Sequence, residues 1–380
     1  MNCNSTNYFF RDYTGYSSGL VVSLLSMTLF GSLYGIALTA DELYVPNLHK
    51  TLDNYYARRG RVALPRMREL LAEFVEAWGS SLPDVMISIV DVVSGGTKIG
   101  IGTMVGSGMF NLLIIPSLCL LLGASTNGLK YTLPLRMLFI MCIGLFIIIM
   151  VYGISNPIMW YNGWYLISVY IFYMIYSFYS STLSKEREIE VNPTDDECDS
   201  KMIKDLTSFS SEYSDKKAPW LVLLSLCLIT LLSVYTVFAA KQIGCYLDIP
   251  EIIMGSLILA AGTSAPDAAT SLAESRRVPH GLQRAMCASY GANVFDMFMG
   301  IGLTWVFSIT VREKSVQLLG NAVTLQLIFF ACAAILSSIL LSLGAHERRF
   351  DNHFWRIIVS MALMFIYLLY ASSVIAEALV

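Results

Sequence analysis

The chain has 380 residues, 56% of them hydrophobic and only 14% charged, with a mean hydropathy of +0.61 and a formal net charge of −3. Such a composition excludes a soluble globular domain and implies an all-α polytopic membrane protein. The net charge singles out no partner beyond the lipid bilayer itself: no nucleic acid and no cofactor is expected.

Residues 1–18 are expected to be an extracytoplasmic N-terminus. The first apolar segment lies where a signal peptide would, but Arg11 is followed by Asp12 and "IALTADE" lacks an Ala-x-Ala cleavage signal, so it is read as a retained anchor. Apolar segments at 19–40, 70–93, 99–123, 131–153, 157–180, 219–240, 249–275, 283–309, 321–344 and 354–377 give about ten crossings at about 20 residues per span. With the N-terminus outside, only Arg11, Lys98, Lys241, Arg312 and Lys314 of the 25 basic residues fall on the outer side, a strong positive-inside bias. Asn4 heads a glycosylation sequon, "NST", that an outside terminus can use. In this topology Cys3 and Cys245 share the outer side, where a disulfide between them is an open option. Cys119, Cys142, Cys227, Cys287 and Cys332 read as small residues within apolar segments. The aromatics of "WYNGWYLISVYIFYMIYSFY" read as interfacial and lipid-facing bulk.

Between 182 and 218 the composition turns polar, with ten acidic and six basic residues and no hydrophobic periodicity, as expected of a flexible cytoplasmic linker. Its "DDECD" lacks EF-hand spacing and reads as a solvated charge run. The linker divides the chain into a first membrane repeat, 19–181, and a second, 219–380.

Those halves are related. An offset of 183 takes Ala77, Gly79, Ser80, Ser81, Pro83, Asp84, Ser88 and Asp91 to Ala260, Gly262, Thr263, Ser264, Pro266, Asp267, Ser271 and Glu274. An offset of 185 then takes "GSGMFN" (Gly106 to Asn111) to "GANVFD" (Gly291 to Asp296). The shared motifs span 77–111 and 260–296. Five crossings precede the linker, so the motif-bearing segments run in opposite directions. The architecture expected is two inverted-topology five-helix repeats.

The repeated residues share one chemistry. Pro83 and Pro266 have no N–H, so the carbonyls of Gly79 and Gly262 lose their helical partners, and broken helices are expected there. In a bilayer such carbonyls must be buried in protein or line a watery cavity. Beside them stand Ser80, Ser81, Thr263 and Ser264, with Asp84 and Asp267. A set made only of oxygen disfavours zinc, copper and iron and suits sodium, potassium, magnesium or calcium; calcium accepts six to eight flexible oxygen ligands. Two bare aspartates at the midplane repel each other, so the site should rarely be empty of both cations and protons. A divalent ion neutralises the pair, several monovalent ions do the same, and that competition is the physical basis of exchange. Gly106 and Gly291 are read as close-packing positions.

At these residues, "GSSLPD" with "GSGMFN" and "GTSAPD" with "GANVFD", the chain resembles the sodium/calcium exchanger superfamily. "TADELYVPNLHKTL", "AAGTSAPD" and "NVFDMFMGIGLTW" most resemble its potassium-dependent branch. The resemblance implies a secondary active antiporter that moves calcium against sodium with potassium co-transported, so that sodium, calcium and potassium are the ions carried. It implies Asp84 and Asp267 as calcium carboxylates, and Ser80, Ser81, Thr263, Ser264, Ser107 and Asn111 as hydroxyl and amide ligands of adjoining sodium sites. Ala77 and Ala260 would offer carbonyls, and Asn293 and Asp296 are the potassium-branch positions. A multi-pass protein of the plasma membrane is implied, an intracellular membrane being the alternative. The chain departs from the pattern in three ways: Asp84 stands where the branch has glutamate, Ala292 where it has serine, and residues 58–76 are far more charged than the usual approach to this motif.

Three other readings compete. Proton/calcium exchange uses the same ligands, and a transport-inactive regulatory paralogue would keep the fold. An intramembrane aspartyl protease also needs two membrane aspartates, but this chain has no Gly-x-Gly-Asp and such an enzyme has no use for duplicated serine-rich motifs.

On a helix, Glu69, Glu73, Glu76, Ser80 and Asp84 fall within roughly 80° of one another. Either this face borders an inward vestibule and focuses cations, or it is a solvated helix whose glutamates balance Arg66 and Arg68. In the first case Glu73→Gln with Glu76→Gln slows calcium uptake from the cytoplasmic side more at low than at high ionic strength. In the second, proteoliposome flux is unchanged at both.

Overall fold

The computed structural model describes residues 18–58, 65–96, 98–123, 140, 143–144, 147, 160–188, 217–277, 281–312, 320–345 and 353–379. They are helical almost throughout. The helices are α1 (Ser18–Leu38), α2 (Val45–Arg58), α3 (Pro65–Val93), α4 (Lys98–Met109), α5 (Ile115–Leu122) and α6 (Trp160–Glu188). After the linker come α7 (Ala218–Tyr246), α8 (Ala260–Arg277), α9 (Gly281–Phe295), α10 (Ile301–Arg312), α11 (Gly320–Ala345) and α12 (His353–Leu379). Four π turns, Thr39–Tyr44, Phe110–Ile114, Met254–Leu259 and Asp296–Gly300, join neighbouring helices without breaking the spiral.

Among the described residues seven helical stretches are long and apolar enough to cross a bilayer, from Gly19–Thr51 to His353–Ala376. α3 and α6, at 29 residues each, are also of spanning length, about 43 Å at 1.5 Å per residue. The chain is thus an all-α multi-pass membrane protein. The expected crossing at 131–153 lies almost wholly outside the described residues, as do Asn4, Cys3 and the linker from 189 to 216. The first part of that linker is helical: α6 runs on to Glu188, because Lys185, Glu186, Arg187 and Glu188 are good helix formers that carry the spiral past its apolar stretch. Cys245 is disulfide-bonded, whereas Cys119, Cys227 and Cys332 are free thiols.

The prolines do not part their helices. α3 continues through Pro83 and α8 through Pro266. The backbone irregularity expected at the prolines is found instead in the π turns, whose wider spiral displaces carbonyls from their usual partners.

The core has a centre and a flank. The central cluster runs from Met104, Met109, Leu112 and Leu113 on the first half to Phe298, Trp305, Phe330 and Tyr370 on the second. The flank is the pair α1 and α7, whose Leu25, Leu29, Leu33, Val237 and Ile243 form a smaller cluster with Ile87, Ile99 and Leu259. The outer faces of this pair carry Met27, Phe30 and Trp220, at 72%, 66% and 72% exposure, as suits surfaces that meet lipid rather than water. Between the two helices Thr236 donates to Ser32 at 2.8 Å, a buried polar tie of the sort that apolar packing alone does not provide in a bilayer.

One ion pair joins flank to centre. Lys241 on α7 lies 2.7 Å from Asp91 near the end of α3, and Asp91, fully buried, also accepts the Gly100 amide at 2.9 Å in the first turn of α4. Removing one partner strands a buried charge. Lys241→Met is therefore expected to cost about 3–5 kcal/mol and to lower the melting temperature in detergent by several degrees. Lys241→Met combined with Asp91→Asn should recover most of that loss in the same melting experiment.

Candidate ion-binding site

The two motifs meet where α3 and α4 pack against α8 and α9. Close approach there depends on glycine. A Cβ on Gly106 would collide with the Ser256 carbonyl and stand 2.7 Å from the Ala260 Cβ, so α4 lies against the backbone of the π turn Met254–Leu259 that leads into α8. Its repeat counterpart Gly291 faces Ala77, whose Cβ an added Cβ would meet at an ordinary van der Waals distance of 3.7 Å. Gly106 is the close-packing position expected, whereas at Gly291 the space would accept a Cβ. Gly79 has a second use: a Cβ there would collide with Val45 at the start of α2, so the first long helix lies directly against the first motif.

Hydrogen bonds cross between the repeats in matched pairs. Ser107 and Ser264 share a bond of 2.8 Å, and Ser81, the counterpart of Ser264, donates to the carbonyl of Ala292, the counterpart of Ser107, at 3.1 Å. The missing hydroxyl at 292 is thus replaced by a backbone oxygen at the same register. Asn293 donates through its amide to the carbonyl of its own counterpart, Gly108, at 3.0 Å. Ser289 donates to the Asn111 carbonyl. Within each helix, Ser80 donates to Ala77 at 3.3 Å and Thr263 to Ala260 at 3.2 Å, again matched positions.

The carboxylates converge on this framework. Asp84 is buried beside Ser107 and Thr263. Asp296, fully buried as the first residue of its π turn, bears on Asp84 and Asp267 and stands beside Ser81. Asp267 is half-buried and bears on Asp84 and, at the other side, on Asp41 in the π turn after α1. The site is therefore closed around Asp84 and Asp296 and open towards Asp267. Asn111 lies in the π turn Phe110–Ile114, so the matched pair Asn111 and Asp296 occupies matched irregular backbone.

Oxygens without donors mark what the site lacks. Asp84 Oδ1, Asn111 Oδ1, Asn293 Oδ1 and both carboxyl oxygens of Asp296 are buried with no hydrogen-bond partner. All five are acceptors, and a buried acceptor without a donor costs about 1–3 kcal/mol, more when charged. A cation supplies what they lack. Among the described residues no three His, Cys, Asp or Glu side chains sit closely enough to hold a metal by themselves, so any ion here must also draw on amide, hydroxyl and carbonyl oxygens.

Of the twelve residues expected at the site, ten lie on the helices that meet here, and Asn111 and Asp296 lie in the π turns that follow α4 and α9. Three further features were not read as part of it. Tyr170, within the aromatic run taken for lipid-facing bulk, is fully buried and accepts the Trp78 indole N–H at 2.8 Å; its neighbours Tyr161, Trp164, Tyr165, Phe172 and Tyr176 are exposed as expected. The signal was present as a helical stripe of Gly163, Leu166, Ile167 and Tyr170. Asp41 lies within "TADELYVPNLHKTL", and Lys241 is the α7 residue that pairs with Asp91. The side chains of Glu69, Glu73 and Glu76 lie outside the described residues.

A family model described as sodium/calcium exchanger protein matches residues 58–179 and 217–376. Human sodium/potassium/calcium exchanger 4 is 29% identical over 142 residues, covering 37% of this chain and 21% of that protein. Sodium/potassium/calcium exchanger 2 of Rattus norvegicus is 37% identical over 121 residues, covering 31% of this chain and 18% of that protein. The matched stretch therefore spans only about a fifth of the length of these relatives. In fold the chain is similar to native YfkE, with a TM-score of 0.61 at 13% identity over 97% of this chain and 94% of that one. It is likewise similar to the sodium-calcium exchanger NCX_Mj, with a TM-score of 0.54 at 19% identity over 93% of this chain and 99% of that one.

Proposed function

Because the chain belongs to the sodium/calcium exchanger family, we propose that it is a secondary active antiporter that exchanges calcium for sodium by alternating access, with potassium co-transported with calcium. The observation that carries this reading is the set of five buried acceptor oxygens without donors, contributed by both repeats.

Charge sets the stoichiometric logic. Asp84, Asp267 and Asp296 together supply three negative charges, which one divalent and one monovalent cation neutralise. Sodium ions in sufficient number do the same, so either load lets the site pass through a low-dielectric barrier, whereas the empty site carries uncompensated charge that costs several kcal/mol. Asp84 and Asp267 hold calcium. Ser80, Ser81, Thr263, Ser264, Ser107 and Asn111 complete the sodium sites, with the Ala77 and Ala260 carbonyls. Asn293 and Asp296 hold potassium. Ser80 and Thr263 donate to those two carbonyls, and a carbonyl with two lone pairs can accept a hydroxyl and a cation together. The topology that fits this role has the N-terminus outside, the 182–218 linker in the cytoplasm, the repeats 19–181 and 219–380 inverted, and the plasma membrane as site. The names of the relatives support the potassium-dependent assignment over proton coupling.

The test is calcium uptake into sodium-loaded proteoliposomes with external potassium, lithium or choline. Asp84→Asn or Asp267→Asn removes one charge with almost no change in shape and should cut uptake by about 100-fold, the equivalent of about 2.7 kcal/mol, while the protein still inserts and folds. Full calcium flux in either variant refutes the assignment.

Asp296 stands where the first half has neutral Asn111, so its carboxylate compensates one more monovalent charge. Asp296→Asn should keep sodium-driven calcium flux and make it indifferent to potassium. A wild type already indifferent to potassium removes the potassium assignment, and uptake driven by a proton gradient alone assigns the chain to proton/calcium exchange.

A further inference from the structure

Asp91 is the one fully buried carboxylate, among the described residues, that the exchange chemistry leaves unused. Its Oδ1 lies 2.7 Å from Lys241 Nζ and has no other donor among those residues, and its Oδ2 accepts the Gly100 amide at 2.9 Å. The ammonium donates on to Ser94 Oγ at 2.9 Å. A carboxylate and a hydroxyl oxygen thus hold one compact positive charge, as they would a monovalent ion.

A glycine turn covers the pair. Ser94, Gly95 and Gly96 fold back over Asp91, with the Gly96 amide on the Asp91 carbonyl at 2.8 Å. Gly95 takes φ 98°, which side chains rarely adopt, and a Cβ on Gly96 would collide with Asp91 Oδ1 and stand 2.7 Å from Lys241 Nζ.

A line of buried oxygens connects this pair to the central site. Ser81, Asp84, Ser88 and Asp91 are all buried and fall within roughly 80° of one another on α3. Thr304 on α10 bonds to Ser88 Oγ at 3.1 Å and to the Gly300 carbonyl at 2.9 Å, and a Cβ on Gly300 would stand 3.7 Å from Asp296 Oδ1. In the other direction, a Cβ on Gly100 would stand 2.7 Å from Ser88 Oγ, and Gly100 is the residue whose amide holds Asp91. Polar groups therefore run from Asp296 through Thr304 and Ser88 to Asp91, at the end of the bundle that the proposed topology places outside.

We propose that Asp91 and Ser94 form an outer station for a monovalent cation, taken in this arrangement by the Lys241 ammonium as a tethered stand-in. Binding at the station is independent of the exchanger reading, whereas its service as a way to the central site rests on that reading. A bare buried carboxylate would trap whatever cation reached it, because nothing else compensates its charge. A lysine on a flexible four-carbon stem gives way to an arriving ion by moving its strongly hydrated head to water, and returns when the ion moves on.

The test is thermal melting of the purified full-length protein in detergent, in sodium, potassium or choline chloride at constant ionic strength. The chains compared are the wild type, Lys241→Met, and Lys241→Met combined with Asp91→Asn. In choline, Lys241→Met should melt several degrees below the wild type. Sodium or potassium should restore about half of that loss or more, saturably, as expected when a ligand binds only the folded state. That increment should be absent from the wild type and from the double variant, whose central sites are unchanged and cancel from the comparison. A Lys241→Met titration that overlays the other two overturns the proposal and marks a purely structural pair, as does a Lys241→Met chain that folds in neither salt. The double variant, which keeps the fold, tests the passage through calcium efflux from right-side-out proteoliposomes driven by external sodium. It should need about threefold more sodium for half-saturation, with the internal calcium dependence unmoved, because the path has lost the carboxylate that concentrates cations. An unmoved sodium dependence, or equal shifts for both ions, overturns the passage. A wild type without sodium-driven calcium flux refutes the exchanger reading, and the melting comparison still decides whether Asp91 holds a cation.

Discussion

A carboxylate that is buried away from water must find positive charge or donors, and the site between α3, α4, α8 and α9 offers too few donors for its acceptors. Ser107 and Thr263 stand beside Asp84, yet its Oδ1 has no partner, and neither oxygen of Asp296 has one. The protein could have satisfied these groups with arginine, lysine or more amides. Keeping them short of donors leaves a group of buried acceptors that a cation would satisfy.

These acceptors sit in a framework of contacts between matched residues. Ser107 with Ser264, Ser81 with Ala292, and Asn293 with Gly108 join equivalent positions of the two halves, so neither motif can move far without its counterpart. Ala292 illustrates why the framework tolerates change: the bond needs an oxygen at that register, and the backbone supplies one where the side chain does not. The tight seat of Gly106 on the Ser256 carbonyl serves the same end by bringing two backbones near enough for short side chains to meet.

The four π turns supply the irregularity such a site requires. They place Asn111 and Asp296 on displaced backbone while the prolines remain inside continuous helices. The first long helix adds an asymmetric element, with Val45 against Gly79 and, in the π turn between, Asp41 facing Asp267. Asp267 is the least buried of the three carboxylates, whereas Asp84 and Asp296 are buried.

Much of this was legible in the residues. Length and composition dictate a helical membrane protein, because only an internally hydrogen-bonded backbone survives in lipid. The offsets of 183 and 185 pair Asp84 with Asp267 and Asn111 with Asp296, and an all-oxygen ligand set follows from residue type alone. The π turns were not legible, since a wider turn depends on which neighbours take the displaced carbonyls and not on local propensity. Nor was the difference between buried Asp84 and half-buried Asp267, two equivalent positions whose surroundings diverge only once the helices pack. The partners of Tyr170 and Lys241 were not legible for the same reason: a helical stripe marks Tyr170 as inward-facing, but each residue acquires its partner, Trp78 or Asp91, from a helix distant in sequence.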